Sequence, residues 1–224
     1  MILKLTRPLV FLDFETTGLD TQSDRIVELA FVRLLPDGTR ESLVRPVNPG
    51  MTAMSKTATK ITGIHTNDVC GLFGDGGKGP AQPLRKLGDE LLAFLGDSDI
   101  AGFNQIHYDI PLWLAECKRH GIAFELGSRH QVDVKILFNT LETGWDRFLM
   151  GPRNLTAAVR HYCGRELEGA HGAEADTQAT VDVLLAQLQR YPDLPRDVAG
   201  LAKFCQEHLR DRDEEAAQAG GLDG

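Results

Sequence analysis

Three observations predict an α/β domain: a mixed five-stranded sheet flanked by helices on both faces. Short apolar runs separated by turn residues crowd the first fifty positions of this 224-residue chain, as in an antiparallel meander. Beyond Leu84 the pattern changes to amphipathic helices alternating with short apolar strands. Hydrophobic residues make up 42% and charged residues 25%, enough for a full core at this length.

Residues 9–16 read as a buried first strand, Arg25–Leu35 as a second and Glu41–Val47 as a third. Pro36-Asp37-Gly38 is the turn that makes the last two a hairpin. A short helix is expected over 54–61 with Ser55 near its start. Leu84–Leu95 forms an amphipathic helix with Leu84, Leu87, Leu91, Leu92 and Leu95 on one stripe. Asp99–Phe103 is the fourth strand, and Tyr108–His120 is a helix that tolerates Pro111 in its first turn and stops at Gly121. Val132-Asp133-Val134 is the fifth strand, leading into a helix over 135–143, with Asp133 read as its cap. Asn154 caps another helix ending near Gly164, Asp176–Tyr191 is a long one, and a terminal helix spans 196 to about 210. Residues 1–192 thus form one domain, 193–210 a helix packed on it, and 211–224 an acidic tail expected to be disordered. The Gly-rich stretch 70–80 matches no phosphate-binding signature and reads as a surface connection.

The net charge is -8, and the tail contributes -4 of it through five acids and Arg212. Such acidity argues against a sequence-independent grip on duplex nucleic acid, although a phosphodiester held through metal ions remains compatible with it. Cys70, Cys117, Cys163 and Cys205 form no CxxC pair, which argues against a zinc site or a disulfide framework and suits reduced thiols in a cytoplasm. No run approaches the ~20 apolar residues of a membrane span, and the N-terminus lacks the apolar core of a signal peptide, so no membrane partner is expected.

The first strand carries the chemistry. In Leu9-Val10-Phe11-Leu12-Asp13-Phe14-Glu15-Thr16-Thr17-Gly18, alternation puts Asp13 and Glu15 on one face, roughly 7 Å apart. Burying two carboxylates is costly without a compensating cation, and hard divalent ions favour carboxylate oxygen. Asp109 and Asp176 each open a helix, where the macrodipole favours an acid, and His171 lies in the loop before the second of these. Four carboxylates converging on one point call for two ions, Mg²⁺ or Mn²⁺, an arrangement suited to in-line attack on phosphorus, and a histidine beside them can take a proton from water. Taken singly, each residue also has a plain structural reading. Asp13 and Glu15 fit an edge strand, Asp109 and Asp176 fit helix starts, and His171 fits an exposed loop. His65, His107 and His161 are rival bases, and Tyr108 reads as a core ring that can also stack on a base.

In order and spacing these motifs resemble those of the DEDDh-type, DnaQ-like 3′–5′ exonuclease superfamily, which includes polymerase proofreading subunits, ribonuclease T, oligoribonuclease and exonuclease I. The matching segments are Asp13–Gly18, Asn104–Asp109 and His171-x-Ala173-x-x-Asp176. The second is one residue longer than the commoner form and is similar to the exonuclease I type. The resemblance implies a ribonuclease H-like fold, two-metal hydrolysis and release of nucleoside 5′-monophosphates from single-stranded DNA or RNA 3′ ends. It implies that Asp13 bridges both ions, that Glu15 and Asp176 complete the first site, and that Asp109 holds the second. It further implies that His171 is the general base, that Thr16 and Leu19 meet the terminal nucleotide, and that Asn104 supports the site or the scissile phosphate. Ile61-Thr62-Gly63 lacks the histidine that many relatives place before this glycine, in a region that shapes the 3′-end pocket. The alternative is a non-catalytic nucleic-acid-binding or polymerase-associated module on the same fold, with a DNA polymerase or repair complex as partner.

Overall fold

The structure, a computed structural model, describes residues 2–69, 81–168 and 172–220. In chain order its elements are β1 (Leu9–Thr16), β2 (Ile26–Leu34), β3 (Arg40–Asn48), α1 (Lys56–Thr62), α2 (Thr66–Val69), β4 (Gln82–Pro83), α3 (Leu84–Leu95) and β5 (Asp99–Gly102). These are followed by α4 (Asp109–His120), β6 (Gln131–Asp133), α5 (Val134–Leu141), α6 (Arg147–Met150), α7 (Leu155–Ala158), α8 (Ala173–Arg190) and α9 (Val198–Gly220). A π-helical turn, Val159–Cys163, continues α7.

The sheet has the order β4-β3-β2-β1-β5-β6, with β1–β3 antiparallel and β5 and β6 parallel to β1. It therefore has six strands where five were expected. The extra one, β4, joins β3 through Val47↔Gln82 and Asn48↔Pro83, and two residues containing a proline are too short to show any periodicity.

Alternation along β1 divides the core. Val10, Leu12 and Phe14 face α3 and α4, while Leu9 and Phe11 face α5, α8 and α9. By the same parity Asp13 and Glu15 lie on the α8 side, and α8 packs across β1 and β2. On the other face Trp113 is fully buried against Phe14, Phe31 and Phe124, with ring centroids 5.8–5.9 Å apart. The buried Glu116 fastens α4 to the start of β2, receiving Arg25 Nε at 2.9 Å together with Arg119.

Helix ends follow their local chemistry. The Ser55 side chain accepts from the Ala58 amide, Asn154 from Ala157, and Gly63, Gly121 and Gly164 close their helices in the left-handed region. The long helix begins at Ala173, three residues before the expected start, and Asp176 remains in its first turn. The terminal helix continues past Arg210 to Gly220, so 211–220 are helical where disorder was expected. The Ala, Glu, Gln and Arg content of that segment favours propagation. Residues 221–224, the Gly-rich stretch 70–80 and His171 lie outside the described residues. Among the described residues no helix is long and apolar enough to cross a membrane.

Candidate active site

The site is built at the C-terminal ends of β1 and β5. Asp13, Glu15 and Asp176 each bring one carboxylate oxygen to within 4.8 Å of the others. The two strand acids converge with the helix acid because β1 parity turns them toward α8, whose first turn carries Asp176. Asp109, the first residue of α4, is the fourth carboxylate, beside this trio. It is 4% exposed, and the Phe14 amide donates to it.

Glu28 is a fifth carboxylate nearby. It pairs directly with Glu15 across β1 and β2, and both are buried. Like charges facing each other across a sheet repel. The crowding of negative charge favours the protonated forms of the cluster. Burial, then the carboxylates of Asp109, Glu15, Asp176 and Glu28, push the Asp13 carboxyl well above its ordinary value. Burial, followed by Asp133, pushes Asp109 up to about 8. The groups acting on Asp13 are carboxylates, so the donor set fits hard divalent cations that prefer oxygen.

The loop Phe103–Tyr108 brings Asp109 into place. Asn104 turns it with φ 73°, an asparagine-compatible left-handed conformation. The buried Asp133 holds the loop from the side, accepting from the Asn104 amide at 3.0 Å and the Ile106 amide at 3.1 Å. The same carboxylate caps α5 through the Lys135 and Ile136 amides, as its sequence position suggested. Gly102 must lack a side chain, because a Cβ there would lie 2.6 Å from Gln105 Cβ and 3.0 Å from the Leu12 carbonyl.

A cavity of about 430 Å³ opens beside Glu15, lined by Phe14, Thr16, Leu19, Ala58, Ile61 and Tyr108 among others. Leu19 stands 79% exposed at its edge. Thr16 is buried, with its hydroxyl donated to the Gly18 carbonyl at 2.7 Å. The Tyr108 phenol donates to the same carbonyl at 2.7 Å, and burial pushes it up to about 12, so it keeps its proton at neutral pH.

The structure thus brings Asp13, Glu15 and Asp176 together, sets Asp109 beside them, and puts Thr16 and Leu19 on the adjoining cavity. Asn104 enters through its backbone. Of the rival histidines, His65 and His107 are exposed, and His161 lies 2.9 Å from Glu142 among Phe138, Trp145 and Tyr162. Asp182 points away from the cluster and pairs with Arg40 at 2.8 Å and Arg165 at 2.7 Å. Sequence reasoning missed Glu28, although an acid inside the apolar run Ile26–Leu34 was the available signal. It also missed the Tyr108 phenol, whose partners are set only by the tertiary fold.

Comparison with known proteins agrees with this architecture. The model of the RNase_T family, described as Exonuclease, matches residues 10–184. Two Staphylococcus epidermidis proteins named DNA polymerase III PolC-type are each 25% identical over 185 residues, covering 83% of this chain and 12% of their own length. The chain therefore spans a small part of those relatives. Among solved structures, the zinc-bound Escherichia coli exonuclease I–single-stranded DNA complex superposes with TM-score 0.70 at 18% identity, over 84% of this chain and 42% of that one. Exonuclease I of Methylocaldum szegediense gives 0.67 at 20% identity, over 84% and 41%. With the family model spanning most of the chain and the fold agreeing, the chain belongs to the exonuclease family, within the DnaQ-like 3′–5′ exonuclease superfamily.

Proposed function

We propose that this domain removes nucleotides one at a time from the 3′ end of single-stranded DNA or RNA, releasing nucleoside 5′-monophosphates. The observation that carries this reading is the convergence of Asp13, Glu15 and Asp176 beside a cavity large enough to accept a nucleotide. Asp13, Glu15 and Asp176 would hold one divalent ion, and Asp13 with Asp109 a second, Mg²⁺ or Mn²⁺ in each case. Bound there, the ions neutralise the carboxylates, acidify the attacking water and stabilise charge on the leaving oxygen.

The chain's own residues do the rest. The terminal nucleoside enters the cavity, where Leu19 wedges against it and the Thr16 backbone contacts it. Asn104 supports the loop facing the scissile phosphate. His171 takes the proton as the water oxygen bonds to phosphorus. The P–O3′ bond breaks and the departing O3′ takes a proton from solvent water, leaving a 3′-hydroxyl on the shortened strand and a 5′-monophosphate in the cavity. Replacing His171 by Ala should slow turnover by about 10²–10⁴, the usual worth of a positioned base.

Matching of the chain to a segment of PolC-type polymerases favours action beside a DNA polymerase or repair complex. The free Cys117, Cys163 and Cys205 fit a reducing cytoplasm. The test uses 5′-labelled single-stranded DNA and RNA with Mg²⁺, Mn²⁺ or EDTA. The expected result is a metal-dependent ladder that shortens from the 3′ end and is lost in Asp13→Ala. If wild-type protein yields no ladder on either polymer, the proposal fails and the non-catalytic binding module takes its place.

A further inference from the structure

The reaction described above makes no use of the Tyr108 hydroxyl, yet that group closes a triangle with two neighbours. It lies 2.7 Å from the Gly18 carbonyl and 2.7 Å from Thr16 Oγ1, which is itself 2.7 Å from the same carbonyl. A carbonyl has two lone pairs, so both hydroxyls can donate to Gly18 at once. The corners of this triangle are telling. Thr16 follows Glu15, Tyr108 precedes Asp109, and Gly18 precedes Leu19. A single clasp therefore links the strand that carries two of the carboxylates, the helix that carries a third, and the turn that carries the exposed leucine.

The far side of the turn is pinned independently. Thr17 Oγ1 donates to Asp24 Oδ1 at 2.7 Å and the Asp20 amide to Asp24 Oδ2 at 2.9 Å. A Cβ on Gly18 would lie 2.5 Å from that carboxylate, so the turn fits closely between Asp24 and Tyr108. Thr16, Gly18, Leu19, Asp24 and Tyr108 all line the cavity beside Glu15.

We propose that Tyr108 is a positioning residue: its hydroxyl holds the Thr16–Leu19 turn against the start of α4 and so sets where Leu19 meets the 3′-terminal nucleotide. The inference rests on the 3′-exonuclease reading and adds a residue to it. Because the phenol is already bound to protein atoms, it acts on substrate fit and leaves the bond-breaking step to the carboxylates. Substrate affinity and turnover therefore respond differently to its removal.

The experiment compares wild type, Tyr108→Phe, Thr16→Val and the double variant. Steady-state kinetics are run on a 5′-labelled single-stranded oligonucleotide, and hydrogen exchange over residues 16–20 is measured in EDTA. Tyr108→Phe should raise KM by about 2- to 12-fold, the worth of one hydrogen bond, and speed exchange of the turn by a similar factor, with kcat within about twofold of wild type. The double variant should exceed the product of the singles, since either hydroxyl alone still satisfies the Gly18 carbonyl. An active wild type whose Tyr108→Phe form keeps both KM and exchange unchanged overturns the proposal. So does a fall in kcat at constant KM, which would make the phenol a direct participant in the chemistry. If wild-type protein degrades no oligonucleotide, the exonuclease reading fails and this proposal falls with it.

Discussion

Replacing Asp109 by Asn should stabilise the metal-free protein at neutral and alkaline pH. Asp109 is 4% exposed, and burial, then Asp133, raise its carboxyl from 3.8 to about 8. A raised carboxylate pKa means that the folded state binds the proton more tightly than the unfolded chain. Stability linked to this group is therefore fully present below the unfolded value near 4 and is lost as pH rises toward 8. A shift of that size corresponds to on the order of 5 kcal/mol across the window. For a domain of this length, about 2–4 °C of Tm per kcal/mol makes the change about 10–20 °C. Asparagine keeps an acceptor for the Phe14 amide and carries no charge, so the variant should lose most of this slope. The assay is thermal unfolding followed by circular dichroism in EDTA from pH 4.5 to 8, with both proteins in parallel. Parallel pH slopes, or a variant less stable than wild type at pH 8, would refute the charge-crowding argument.

Asp13→Ala should fold and should abolish mononucleotide release; Mn²⁺ should raise the Tm of wild type and leave that of the variant unchanged, and equal metal-induced stabilisation of both would show that the ions bind elsewhere. Glu116→Ala strips the buried partner from Arg25 and should cost about 3–5 kcal/mol, read as a lower urea midpoint at constant m. Gly102→Ala drives a methyl against the Leu12 carbonyl and Gln105, and should destabilise by about 1–3 kcal/mol in the same measurement.

Much of this architecture is legible in the sequence, for physical reasons that differ between its parts. The pairing of Asp13 with Glu15 follows from the two-residue period of a strand, and the helix stops at Gly121 and Gly164 follow from glycine's tolerance of the left-handed region. These are local properties. What was not legible is nonlocal. β4 exists only because β3 offers an edge to two residues that carry no pattern of their own. Glu28 joins the site through the register of β2 against β1, which a strand run by itself does not specify. Asp133 could be read as a cap for α5, yet its hold on the Asn104–Ile106 backbone comes from β5 and β6 lying side by side. Helical continuation beyond Arg210 lay within reach of propensity, but the acidic composition drew the reading toward disorder.

The docking of α8 across β1 and β2 carries a further consequence, for the chain as it is synthesised. Asp13 and Glu15 belong to the first strand, Asp109 to the fourth helix and Asp176 to the eighth, so the carboxylate trio closes only when the late helix lands on the early strand. A nascent chain that ends before Ala173 already holds β1 through β6 but lacks one corner of the site. The carboxylate cluster is thereby incomplete until α8 covers the sheet, the last of its corners to leave the ribosome. Two fragments divided between the π-helical turn and α8 would each be inert, with activity returning only on their association.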